Sequence, residues 1–281
     1  MRRAAQLALL VASGCGAAHQ DRITDGVYRL PHRLREVSAV VALDGATVAC
    51  VQDEVGAVFV VDLLGRNGLR AEVFGPRGDY EGLALVGERY WVLRSDGVVL
   101  RLDRRAGALS IGASLRLPAG HGEWEGLCWD RERGLLLTVP KEGAKDVAGR
   151  ALRPIFGIDP RAERVLPDPV LVLDLRRLED DAVARGITLP TKTSVKGRAR
   201  SDVRMACSEL LALPDRGELL LLSSADHAIF RVDRDGRLLA FAPLDPDELP
   251  QPEGLALLPD GRLLVASEGP SYGILRIVPR P

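Results

Sequence analysis

The sequence has no surplus of either charge: 38 Lys and Arg stand against 39 Asp and Glu in 281 residues. No global field is therefore available to recruit nucleic acid or an anionic membrane, and any electrostatic function must be local. A long apolar run is missing too. Nothing approaches the roughly 18 residues of a spanning helix, and the one candidate segment sits at the extreme N-terminus. Cysteine is scarce, with Cys15, Cys50, Cys128 and Cys207 showing neither CxxC spacing nor neighbouring histidines, which speaks against zinc. The three beyond Cys15 are an odd number, each in or beside an apolar run, and read as small buried hydrophobes rather than as a disulfide framework or a nucleophile. Also absent are a Gly-x-Ser-x-Gly elbow, a GxxxxGK phosphate loop and a dinucleotide glycine fingerprint, so the familiar hydrolase and nucleotide routes lose support. What is present is the composition of an ordinary globular protein, 46% hydrophobic and 27% charged, with enough apolar side chains for a sizeable core.

The first 18 residues read as an export signal: Arg2 and Arg3, an apolar stretch over residues 4–12, then Ser13, Gly14 and Cys15. Ala12-Ser13-Gly14-Cys15 resembles a bacterial lipoprotein box, with Ala at its first position, and makes Cys15 the expected site of lipidation. Cleavage after Gly16-Ala17-Ala18 is the alternative and gives simple secretion. The expected location is therefore the periplasm or the envelope surface, with the membrane engaged only through a lipid.

A repeat of 40 to 45 residues, the length of a propeller blade, organises residues 26–281. Four segments share an opening: Tyr80-Glu81-Gly82-Leu83, Trp124-Glu125-Gly126-Leu127, Ser208-Glu209-Leu210-Leu211 and Pro252-Glu253-Gly254-Leu255. A weaker copy begins at Ser38-Ala39-Val40-Val41. Each is followed by a turn, an apolar strand and an outer hairpin, with Asp44-Gly45, Asp96-Gly97, Asp235-Gly236 and Asp260-Gly261 as turn pairs. Four strands per unit predict an all-β, five-bladed β-propeller, since such units cover one another only in a closed ring. The last unit holds three strands, so the segment at residues 26–30 is expected to supply the fourth and close the ring. Counted from Ser38, Glu81, Glu125, Ser208 and Glu253, the intervals are 43, 44, 83 and 45 residues. The long one predicts an insertion around residues 174–206, with a short surface helix near 174–185 and a basic stretch carrying Lys192, Lys196, Arg198, Arg200 and Arg204. A degenerate sixth blade is the alternative.

Residues at the same point of each repeat ring the axis. The first ring is Ser38, Glu81, Glu125, Ser208 and Glu253; the second is Gln52 or Asp53, Arg94, Lys141, Ser224 and Glu268. Three converging carboxylates repel one another unless a cation lies among them. Calcium, which takes oxygen ligands, answers that need; Arg94 and Lys141, as direct partners, answer it equally. The same two bases are candidate anion-binding residues. His121 and His227 fall beside loops, and Asp233-Arg234-Asp235-Gly236 reads as a turn rather than an EF-hand loop, lacking the downstream Glu.

Asp79-Tyr80-Glu81-Gly82, Trp124-Glu125-Gly126-Leu127, Lys141-Glu142, Gln251-Pro252-Glu253-Gly254 and Ser267-Glu268 stand in an order that resembles the SdiA-regulated (YjiK-like) family, over about residues 38–278. The chain has Arg94-Ser95-Asp96 where relatives carry Glu-Arg after the second-blade strand. The resemblance implies a five-bladed periplasmic propeller with a calcium site, and distant kinship to NHL-repeat, phytase-like and lactonase-like propellers. Carried over by position, Glu81, Glu125 and Glu253 are the expected ligands, joined by Glu268 and Asp53. The function expected is a monomeric calcium-binding envelope protein holding an unidentified small molecule or envelope partner. A metal-dependent esterase, lactonase or phytase-like phosphohydrolase is the alternative.

Overall fold

The computed structural model describes residues 26–281 apart from 66–67, 146–148, 150, 194–198 and 215. The segment expected to be an export signal, with Cys15, lies outside the described residues.

The second strand of each blade explains why the core closes. In blade 4 it runs Glu218–Ser223, and its four leucines are all buried. Successive side chains of a strand point to opposite faces, so Leu219 and Leu221 pack into the core shared with blade 3, whereas Leu220 and Leu222 pack into the one shared with blade 5. Thr47–Gln52 of blade 1 behaves alike: Val48 and Cys50 face blade 5, Ala49 and Val51 face blade 2. A strand buried on both faces reads as a continuous apolar run, and ringing such strands removes both faces from water. The cysteines follow the same logic, since Cys50, Cys128 and Cys207 are buried, unbridged members of these cores.

The ring has five blades. Blade 1 covers residues 37–73, blade 2 residues 80–116 and blade 4 residues 207–243, each a four-stranded meander. Blade 5 is completed from the other end of the chain. Val27–Arg29 lies antiparallel to Ile274–Val278, pairing Val27 with Arg276, Tyr28 with Leu275 and Arg29 with Ile274. The expected closing strand is thus in place, and Tyr28 and Leu30 are buried behind it.

Blade 3 accounts for the 83-residue interval. Trp124–Asp130, Leu135–Pro140 and Ala151–Asp159 form its regular part, and its outer edge is split into Arg164–Val165 and Leu171–Asp174, both paired with the third strand. Pro167 and Pro169 stand in the gap, and proline has no N–H to give a ladder. Helix α1, Leu175–Arg185, follows; the Asp174 side chain accepts from Arg176 N and Gly186 ends the helix with φ 68°. It buries Leu175, Leu178 and Ala182 against the core between blades 3 and 4 and leaves Val183 exposed. A two-stranded hairpin, Thr191–Thr193 with Ala199–Ser201, completes the excursion. The extra length is a helix and a hairpin; there is no sixth blade among the described residues.

Candidate functional site

The opening of each blade is a β-bulge. Register shifts fall between Val37 and Ala39, Tyr80 and Gly82, Cys207 and Glu209, and Pro252 and Gly254, leaving Ser38, Glu81, Ser208 and Glu253 as the extra residues. In blade 3 the shift lies between Glu125 and Cys128. A bulge bends its strand and re-aims a side chain, so the repeat sends one polar side chain per blade into a common region. The glycine that follows permits the next blade to approach. A Cβ on Gly82 would lie 2.7 Å from Leu127 Cβ, and one on Gly254 would lie 3.1 Å from Val40 N. Glu-Gly is therefore one device: the carboxylate faces the axis and the glycine seats the neighbouring inner strand.

The three glutamates share one electrostatic environment. Burial, the nearby Glu125, and a hydrogen bond and repulsion from Asp79 push Glu81 up to about 10. Glu125, 2% exposed, is raised to about 7 by burial, although Lys141 opposes that shift with Nζ 2.8 Å from Glu125 Oε1. Glu253 is also raised to about 7, mainly by burial, while Gln251, Lys141 and Ser208 pull it down. The Ser208 hydroxyl donates to Pro252 O at 2.9 Å. Farther out, burial and the charges of Asp53 and Glu36 lift Glu268 to about 7, and burial with Glu36, Glu54 and Asp79 lifts Asp53 to about 6. Lys141 loses through burial and gains more from Glu125, ending above its ordinary range. Its second carboxylate neighbour is Glu123, at 3.8 Å.

Strand pairing corrects the second ring. Arg94 lies opposite Tyr80, as Gln52 lies opposite Val37, Pro140 opposite Trp124 and Ser223 opposite Cys207. The counterpart of Lys141 in blade 2 is consequently Ser95, whose hydroxyl donates to Asp79. Arg94 instead pairs with Asp96 at 2.9 Å, and no ring carboxylate is among its ion-pair partners. Of the two bases expected at the ring, the fold brings Lys141 there and leaves Arg94 outside.

Glu209 escaped the sequence reading. Because Ser208 is the bulged residue, Glu209 takes the place that glycine holds in blades 2, 3 and 5. Its Oε1 accepts from Leu127 N at 3.0 Å, across the blade 3 to blade 4 seam, and from Leu210 N at 2.9 Å. Burial holds its carboxyl well above the usual range. The missed signal is the spacing itself, which aligns Ser208 with Glu81 and so sets Glu209 against Gly82. Below it, side chains of all five inner strands line an apolar channel of about 180 Å³.

His227 Nε2 lies 2.9 Å from Pro250 O, whereas His121 lines a cavity beside Lys141. Asp233 sits in a turn, with its Oδ1 accepting from Asp235 N and Arg237 N. Among the described residues, no three His, Cys, Asp or Glu side chains are drawn together as a ligand set for one metal ion. No helix among them is long and apolar enough to cross a membrane.

No family model matches the chain, and no curated protein is significantly similar to it. Solved structures do resemble it. Glutaminyl cyclase of Myxococcus xanthus is 14% identical with a TM-score of 0.54, the alignment covering 90% of this chain and 97% of that one. A structural genomics protein of unknown function from Bacteroides thetaiotaomicron is 12% identical with a TM-score of 0.52, covering 85% of this chain and 53% of that one. At such identities the likeness concerns the fold alone.

Proposed function

We propose that the chain is an exported propeller of the cell envelope that binds calcium at its axis and uses that face to hold a small molecule or a partner protein. The observation that supports this reading is that Glu81, Glu125 and Glu253, each at the opening of a different blade, are buried and repel one another, with only Glu125 paired to a base, Lys141, among the described residues; they do not form a ready-made ligand set, so an ion would have to draw them closer. The donor chemistry fits a hard cation. All the acidic groups offer oxygen, the ligand atom calcium prefers, and Asp53 Oδ1 is buried without a hydrogen-bond partner among the described residues. Glu81, Glu125 and Glu253 would hold the ion, with Glu268 and Asp53 flanking them. When bound, calcium supplies the positive charge that lets neighbouring carboxylates ionise together. The motif order shared with the SdiA-regulated family supports the same site, and the composition of residues 1–18, with Cys15 as the lipid-bearing residue, supports export.

Calorimetric titration tests the reading. Calcium should bind saturably and chelation should lower the melting temperature, because a ligand of the folded state stabilises it by mass action. Glu125→Gln should weaken calcium affinity about tenfold or more while leaving the chelated protein no less stable. No calcium heat, together with a destabilised Glu125→Gln protein, would mean that the ring is closed by Lys141 alone. Metal-dependent hydrolysis of an ester, lactone or phosphoester is the second reading, favoured by the cavity beside Lys141; calcium-dependent turnover of p-nitrophenyl acetate, butyrolactone or phytate would establish it.

A further inference from the structure

Two loops, residues 120–123 and 141–143, line a half-open cavity of about 480 Å³ beside Lys141. That volume lies within the range of small-molecule sites. Its walls carry uncommitted donors. The His121 ring is fixed edge-on against Trp124 and Phe156, with centroids 5.5 and 4.9 Å away, and neither of its nitrogens has a hydrogen-bond partner among the described residues. Lys141 has three N–H donors, of which Glu125 takes one; Glu123 at 3.8 Å is beyond hydrogen-bond reach. The backbone N–H groups of Gly122, Glu123, Glu142 and Gly143 donate to no described residue. Gly120 and Gly122, with φ of 89° and 73°, give their loop a shape open to few other residues. The rim, by contrast, is acidic: the side chain of Glu123 is 67% exposed, and Glu142 is exposed beside it.

A simple anion would meet the donors but be repelled by the rim. A simple cation would meet the rim but be repelled by Lys141. We propose that this cavity binds a zwitterionic small molecule of the α-amino-acid class, its carboxylate taken by Lys141, His121 and the loop amides, and its ammonium by Glu142 and Glu123. A zwitterion brings no net charge into an acidic neighbourhood, and it satisfies both sets of groups at once. The inference goes beyond the calcium reading and needs no ion at the ring.

Thermal shift and calorimetry on the full chain, in chelator, test it with the free α-amino acids at millimolar concentration. At least one should bind saturably. Its N-acetyl derivative, which lacks the ammonium, and its carboxamide, which lacks the carboxylate, should each bind about tenfold or more weakly. Lys141→Met should remove the preference for the acid over the carboxamide. Since that change also disturbs Glu125, Glu142→Gln, on an exposed side chain, provides the second arm: it should narrow the gap between the free and N-acetylated ligand without altering the melting temperature. Failure of every amino acid to bind, or equal binding of the free and blocked forms, overturns the proposal. Repeating the calcium titration on the same preparation keeps the two readings apart, since either can fail alone.

Discussion

At the scale of single residues, the buried carboxyls divide into those that face the axis and one that serves as a clasp. Glu209 is the clasp, with one oxygen accepting two backbone N–H groups from adjoining blades. Glu209→Ala should cost about 1–3 kcal/mol for each N–H left unpaired in the interior. Glu209→Gln keeps a carbonyl acceptor and, because burial already disfavours the charged form of the carboxyl, should lie within about 1 kcal/mol of the parent. Urea denaturation of both variants decides the matter; equal losses would show that the charge, not the acceptor, is what the seam requires. The axial carboxyls set the pH dependence. Their folded values of about 7 for Glu125, Glu253 and Glu268, and about 10 for Glu81, lie above the ordinary 4.5, so between those limits the folded state binds more protons than the unfolded one. The stability these four carboxyls contribute is thus fully present below about pH 4.5 and is lost as pH rises, through about 7 for Glu125, Glu253 and Glu268 and through about 10 for Glu81. In chelator the melting temperature should fall between pH 5 and pH 8, and saturating calcium should flatten that slope; a rise instead would mean that the ring is not repulsive. That Glu81, Glu125 and Glu253 open their blades was legible in the sequence because the Glu-Gly pair recurs at blade spacing. Arg94 was misplaced because strand ends were counted without the pairing register, which moves its blade by one residue.

At the scale of elements, the strands were legible and the insertion was legible only in part. Two-faced burial makes runs such as Leu219-Leu220-Leu221-Leu222 conspicuous, and the short helix was legible from apolar residues spread among charges, Leu175, Leu178 and Val183, of which only the first two are buried. The outer edge of blade 3 was not legible, since Arg164–Val165 is two residues long and exists only as a pairing partner. Within α1, Leu178→Ala should cost about 2–5 kcal/mol by leaving a cavity in the core between blades 3 and 4. Val183→Ala, on a residue 82% exposed, should stay within about 0.5 kcal/mol. If the two variants melt alike, the helix is not docked as described.

At the scale of the molecule, closure of the ring rests on one short strand. Removing residues 26–30 strips blade 5 of its outer strand and exposes the apolar surface that Tyr28 and Leu30 cover. With about 1.5–3 kcal/mol for each such side chain, the melting temperature should drop on the order of 10 °C in a protein of this size. An unchanged melting curve would place the ring's stability in the blade-to-blade cores alone.

The pairing of Tyr28 with Leu275 also has a kinetic meaning. Four blades can assemble from neighbouring strands, but the fifth must wait for partners separated by nearly the whole chain, and that is the slow kind of contact in a folding reaction. A chain emerging N-terminus first, from a ribosome or through a membrane, holds Val27–Arg29 as an unpaired edge until its last strand arrives. Over that interval the nascent protein is an open arc rather than a ring, and the carboxylates contributed by blades 2, 3 and 5 have not yet met.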